Sequence, residues 1–288
     1  MKELTIISGK GGTGKTSLVA AFASLAVNKV IVDGDVDAAD LHLILKPEIK
    51  THEEFKGGRK AVINPDLCTA CGQCIELCQF KAISKDYVID EFSCEGCGVC
   101  VHFCPVQAIE FPENICGEWF ISETRLGPFV HAKLGIAEEN SGKLITTIRR
   151  QAEKLGEERG LDMILIDGPP GIGCPVIAAT TGASAVLVVT EPTVSGVHDL
   201  ERVGELTKYF KISAMVCINK FDINLDVADR IEKYCVQKGF ELVGKIPYDP
   251  IFTEAMIAEK TIIEYSPNGL SEMVRGMWGR IINRMKTI

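Results

Sequence analysis

Eight of the twelve cysteines stand in two short runs with one spacing. The first is Cys68-x2-Cys71-x2-Cys74-x3-Cys78. The second is Cys94-x2-Cys97-x2-Cys100-x3-Cys104, followed by Pro105. Two copies in one register confine the chain between them to tight loops that gather thiolates. Structural zinc is usually held by two pairs of ligands, not by two runs of four. Gly72, Gly96 and Gly98 let the backbone turn sharply and offer amides near the sulfurs.

The runs resemble the ligand pattern of bacterial-type ferredoxins, which hold two [4Fe–4S] clusters. A cubane needs four converging thiolates, and three close cysteines on one loop can wrap three of its irons. The fourth ligand comes from the other run. The resemblance therefore implies Cys68, Cys71, Cys74 and Cys104 for one cluster, and Cys94, Cys97, Cys100 and Cys78 for the other. Gln79 departs from the pattern, which usually places a proline after the fourth cysteine.

The 288 residues are 46% apolar and 24% charged, enough to bury a full core in one large domain or two smaller ones. No apolar run reaches the length of a membrane span. The N-terminus enters an apolar strand within a few residues, leaving no room for a signal peptide, so a cytoplasmic location is expected. Disulfides do not fit that compartment. The net charge of -8 argues against bulk nucleic-acid binding. Between Ala61 and Pro112 seven acidic residues face only Lys81 and Lys85. That segment is either a solvated surface or a docking face for a basic redox partner.

The first sixteen residues read strand, glycine loop, helix. Leu4-Thr5-Ile6-Ile7-Ser8 precedes Gly9-Lys10-Gly11-Gly12-Thr13-Gly14-Lys15-Thr16, and Ser17 continues into a helix. This satisfies G-x-x-x-x-G-K-[ST] in its proper context. Backbone amides and the helix N-terminus face phosphate oxygens. Lys15 reaches the β- and γ-phosphates and Thr16 holds Mg²⁺. Further strands, apolar on both faces, are expected at Val30–Val32, Met163–Ile166, Ala185–Val189, Met215–Ile218 and Leu242–Ile246, with helices between them. The fold class is thus α/β, a doubly wound, mostly parallel sheet of P-loop type.

With Lys10 as an extra lysine, the loop resembles the deviant Walker A motif of MinD/ParA/nitrogenase-iron-protein ATPases. The resemblance implies a homodimer through the nucleotide face, with Lys10 touching the phosphates across it; a lysine serving only its own nucleotide is the alternative. Asp33-Gly34-Asp35 resembles switch I, where Asp35 positions the attacking water and Asp33 lies near Mg²⁺. Asp167-Gly168-Pro169-Pro170-Gly171 resembles the Walker B and switch II segment, with Asp167 bound to Mg²⁺ through water. Catalysis is thereby expected of Lys10, Lys15, Asp35 and Asp167, by in-line attack on the γ-phosphate. Asn219-Lys220-Phe221-Asp222 matches the guanine-reading N-K-x-D, yet relatives place an asparagine here to read adenine. ATP/ADP is the favoured nucleotide and GTP the alternative. Asn219, Lys220 and Pro247 are expected to line the base pocket.

The whole chain resembles MinD-superfamily ATPases with an inserted ferredoxin domain, often grouped with the cobyrinic acid a,c-diamide synthase nucleotide-binding family. Residues 1–60 and 113–288 would form the ATPase and 61–112 the 2[4Fe–4S] insert. Cys174 lies seven residues after Asp167, the offset of a dimer-bridging cluster ligand in the nitrogenase iron protein. The plainer expectation is a small buried residue packed behind switch II. Residues Leu270–Lys286 are amphipathic and basic, fitting either a membrane tail or the last helix covering the sheet. Three functions follow as expectations. One is ATP-gated electron transfer to a basic-surfaced redox or metallocofactor-maturation partner. Another is ATP-dependent delivery of a metal–sulfur cluster. The least favoured is positioning at a membrane or nucleoid, so no nucleic acid or membrane partner is expected.

Overall fold

The structure, a computed structural model, describes residues 1–135, 138, 140–266 and 269–288. It divides into two compact units: Met1–His52 with Trp119–Lys133 and Ser141–Ile288, and Glu53–Glu118 with Leu134–Asn140. The second takes in more chain on either side of the cysteines than residues 61–112.

The chain opens with β1 (Lys2–Ser8), α1 (Lys15–Leu25), β2 (Lys29–Asp33) and α2 (Leu41–Leu45). Then come β3 (Glu48–Arg59), β4 (Val62–Ile63), α3 (Gln73–Leu77), α4 (Val99–His102) and β5 (Ile109–Glu110). β6 (Glu113–Thr124), β7 (Gly127–Leu134), α5 (Ser141–Arg159), β8 (Met163–Pro170) and α6 (Cys174–Thr180) follow. The C-terminal part holds β9 (Ala185–Thr190), α7 (Val194–Tyr209), β10 (Ser213–Asn219), α8 (Leu225–Lys238) and β11 (Glu241–Ile246). Three helices close it: α9 (Ile251–Ile257), α10 (Ile262–Tyr265) and α11 (Leu270–Lys286).

The main sheet runs β11-β10-β9-β1-β8-β2-β7-β6-β3, and every pairing from β11 to β7 is parallel. Strands buried on both faces explain the unbroken apolar runs. Ile6, Leu187 and Met215 face one core with α1 and α11, while Ile7, Val186, Val188 and Val216 face another under α7 and α8. The apolar face of α11 (Val274, Met277, Ile281 and Met285) is buried in the first core, and Phe22 stacks on Trp278. Each such side chain contributes about 1.5–3 kcal/mol of burial, so that face is occupied by the sheet. No helix among the described residues is long and apolar enough to cross a membrane.

The strands β3, β6 and β7 were not expected from the sequence. β3 is almost wholly polar and exposed, so it carries no apolar alternation to signal a strand.

Within the second unit the two cysteine runs, 26 residues apart, have matching backbones. Positive φ recurs at Ala70 and Gly96, at Gly72 and Gly98, and at Lys81 and Gln107. Buried Ala82 and Ile83 match buried Ala108 and Ile109. The strand pairing is crossed between the repeats: Ile63 pairs with Ile109, and Ile89 bridges to Ile83.

Candidate functional site

Ser8, Asp33, Pro170, Thr190 and Asn219 all end parallel strands, so their side chains gather at the carboxyl edge of the sheet, where ligands bind in such folds. Between β1 and α1 the loop Gly9–Gly14 turns through positive φ at Gly12 and Gly14, a conformation that disfavours other residues. A Cβ at Gly14 would also collide with the Asn219 side-chain amide.

Lys15 is buried and pairs with Asp167 at 2.5 Å and Asp35 at 3.4 Å. Burial alone would lower its pKa, but Asp167 and Asp35 outweigh that and raise it, so the ammonium is held charged. Asp33 and Asp167 are register partners on β2 and β8. Burial, reinforced by the like charge of Asp167, raises Asp33 well above the ordinary carboxylate range, and Lys15 only partly offsets this. Asp33 accepts hydrogen bonds from the amides of Leu41 (3.1 Å) and Asp35 (3.2 Å). Burial likewise lifts Asp35 to about 6 against the pull of Lys15.

Two buried oxygens here, Thr13 Oγ1 and Asp167 Oδ2, have no hydrogen-bond partner among the described residues. Orphaned buried acceptors are rare in folded proteins. They suit a nucleotide and a Mg²⁺ ion, which takes one or two carboxylates and keeps several waters. Thr16 is half-buried at the first turn of α1, and the Ser17 hydroxyl lies 3.2 Å from Met256 Sδ.

Asn219 and Lys220 brace the loop. The Asn219 amide donates to the Thr13 carbonyl at 2.7 Å and the Lys220 ammonium to the Gly12 carbonyl at 2.9 Å. Asp222 accepts from the Tyr248 amide at 2.6 Å, next to half-buried Pro247. Lys10 pairs with Glu191 at 2.5 Å and Lys220 with the same carboxylate at 3.4 Å. Despite the penalty of burial, these two cations lower the Glu191 pKa. Glu191 escaped the sequence reading. Its position just past buried strand β9 was the available signal.

None of the twelve cysteines is in a disulfide. Four of them (Cys68, Cys71, Cys74 and Cys104) line one small cavity, and Cys78, Cys94, Cys97 and Cys100 line a second. The crossed strand pairs bring the last cysteine of each run to the other run's loop. Burial raises the Cys74 and Cys100 thiols, and the neighbouring thiols of each set push the same way. Among the described residues no group of three or more His, Cys, Asp or Glu is placed to hold a metal ion. Each set of four thiols nonetheless lines one small cavity, and thiolates are the ligands of iron–sulfur clusters.

Cys174 is exposed at the start of α6, which corrects the expectation that it packs behind switch II. A glycine-rich turn, Gly171–Gly173, leaves its side chain uncovered. Cys116, Cys217 and Cys235 are buried.

The arrangement belongs to a class of nucleotide-binding proteins. The family model CbiA, the CobQ/CobB/MinD/ParA nucleotide binding domain, matches residues 4–262, and the chain belongs to that family. An uncharacterized protein of Methanocaldococcus jannaschii is 34% identical over 283 residues, 97% of this chain and 96% of that one. An iron-sulfur cluster carrier protein of Pyrococcus horikoshii is 22% identical over 309 residues, covering 99% of this chain and 87% of that one. The septum site-determining protein MinD of P. horikoshii, solved with Mg-ADP, shares the fold with a TM-score of 0.60 at 17% identity, over 97% of this chain and 95% of that one.

Proposed function

We propose that this chain binds and hydrolyses ATP and couples its nucleotide state to electron transfer through two [4Fe–4S] clusters toward a partner metalloprotein. The observation that carries the reading is the sorting of eight thiols into two crossed sets of four around separate cavities, on a chain of a nucleotide-binding family. When bound, Mg²⁺ would neutralise γ-phosphate charge and the clusters would carry single electrons.

The chain's own residues have distinct tasks. Lys15, held by Asp167 and Asp35, exchanges those carboxylates for phosphate oxygens when nucleotide arrives. That frees Asp167, with Asp33 and the Thr16 hydroxyl, to hold the ion. Asp35 orients the water that attacks the γ-phosphate. Amides of Gly9–Gly14 bind the phosphates, while Asn219 and Lys220 keep that loop in shape. Lys10 leaves Glu191 to contact nucleotide across a homodimer.

Replacing Lys15 by Ala tests the division of labour. Hydrolysis and any nucleotide effect on electron-transfer rate should vanish, while the visible cluster absorbance stays intact. Loss of both together would contradict it.

A second reading is delivery of a cluster to a client enzyme. Exposed Cys174 favours it, as does likeness to a relative named as an iron-sulfur cluster carrier.

A further inference from the structure

A cavity of about 530 Å³ opens within the second unit, and Cys68 lines both it and the smaller cavity shared with Cys71, Cys74 and Cys104. Its volume lies in the range of ordinary ligand sites. Val62 and Val88 line it and are 50% and 64% exposed. Asp86 and Glu91 also line it and are exposed, and neither makes a side-chain hydrogen bond or ion pair among the described residues. The one lysine in the lining, Lys60, is already paired with Glu138 at 2.7 Å. The cavity thus has exposed apolar side chains and two uncommitted carboxylates in its lining.

The surrounding charge has the same sign. The second unit carries thirteen acidic and five basic residues, a balance of -8 that equals the net charge of the whole chain. An anionic or nucleotide ligand would be repelled. A lysine or arginine fits, its methylene stem on the valines and its head between the carboxylates. The exposed valines continue that contact for an apolar neighbour of the basic residue.

We propose that this cavity is the docking seat for a basic segment of the partner protein, one Lys or Arg beside an apolar side chain, with electrons passing by way of Cys68. This rests on the two-cluster reading above. Each encounter moves one electron, with no atom or proton exchanged.

The test uses the full-length chain and ferricytochrome c as a basic probe. Calorimetry at low ionic strength gives the affinity. Stopped-flow spectroscopy gives the rate at which one electron leaves the dithionite-reduced protein and converts ferric to ferrous haem. The paired change Asp86→Lys/Glu91→Lys should weaken affinity and rate about tenfold or more, as loss of specific charge contacts does. Glu53→Lys/Glu54→Lys alters total charge equally at exposed positions of the same unit, outside the cavity and the cysteine runs, and should cost about threefold or less, the part due to the overall field. Val62→Trp, which fills the mouth without changing charge, should also weaken binding. Equal losses from the two charge pairs, or none from the first, would overturn the seat. A neutral quinone serves as acceptor control and should be reduced equally by all variants. Failure to reduce it, or protein lacking iron, would overturn the two-cluster reading separately, and calorimetry would still decide the seat.

Discussion

Lys10 and Glu191 form an ion pair of 2.5 Å within a single chain, and the same carboxylate reaches Lys220 at 3.4 Å. The lysine expected to serve a dimer is thus held at home, and Glu191 competes with any nucleotide for it. Replacing Glu191 by Ala should let Mg-ATP drive dimerisation at lower concentration. The pair is partly solvated, so it is worth about 0.2–1 kcal/mol, or up to about fivefold. Sedimentation velocity across an Mg-ATP titration measures the shift. Weaker dimerisation of the variant would show that Glu191 assists assembly instead.

The crossing of the cysteine runs makes a sharp distinction between double variants. Cys68→Ser/Cys104→Ser removes two ligands of one set and should leave about half the iron. Cys68→Ser/Cys78→Ser touches both sets and should lose nearly all of it. Iron and acid-labile sulfide analysis after anaerobic purification reads the result. The reverse ranking would mean that each run holds its own cluster.

His131 lies between Phe120 and Phe129, with ring centroids 4.9 and 4.5 Å away, and its Nε2 is 2.9 Å from the Ser122 hydroxyl. Burial, with His42 adding to it, lowers its pKa from 6.5 to about 4. Between those values the unfolded chain binds more protons than the folded one, so stability rises with pH. The contribution is complete above about pH 6.5 and lost as pH falls toward 4, on the order of 3 kcal/mol. His131→Phe should flatten thermal stability across that window. An unchanged slope would exclude His131 as its source.

Gly14 and Gly11 make opposite predictions within one loop. At Gly14, φ is 85° and a side chain meets Asn219, whereas a Cβ at Gly11 meets nothing within 4 Å. Gly14→Ala should cost about 1–2 kcal/mol for the left-handed backbone alone and disturb nucleotide binding. Gly11→Ala should stay within about 0.5 kcal/mol of the parent in stability. Denaturant unfolding of both variants decides it.

Much of this was legible in the chain because the chemistry demands fixed local spacing. Gly9–Thr16 and the two cysteine runs each declare a loop geometry, and buried strands such as Ala185–Val189 declare themselves by unbroken apolar character. Relations made in space were not legible. Glu191 lies far along the chain from Lys10, Asn219 braces Thr13 from a distant strand, and the exposure of Cys174 depends on its surroundings. The strand Glu48–Arg59 was hidden because its residues are polar and mostly exposed.

The central claim is that fixed clusters are gated by nucleotide. Iron bound to the anaerobically purified chain should be measured before and after adding Mg-ATP and a cluster-free acceptor enzyme. The account predicts about eight irons per chain, unchanged by Mg-ATP and acceptor together. Iron that leaves with ATP while the acceptor gains activity would contradict it and make the chain a cluster carrier.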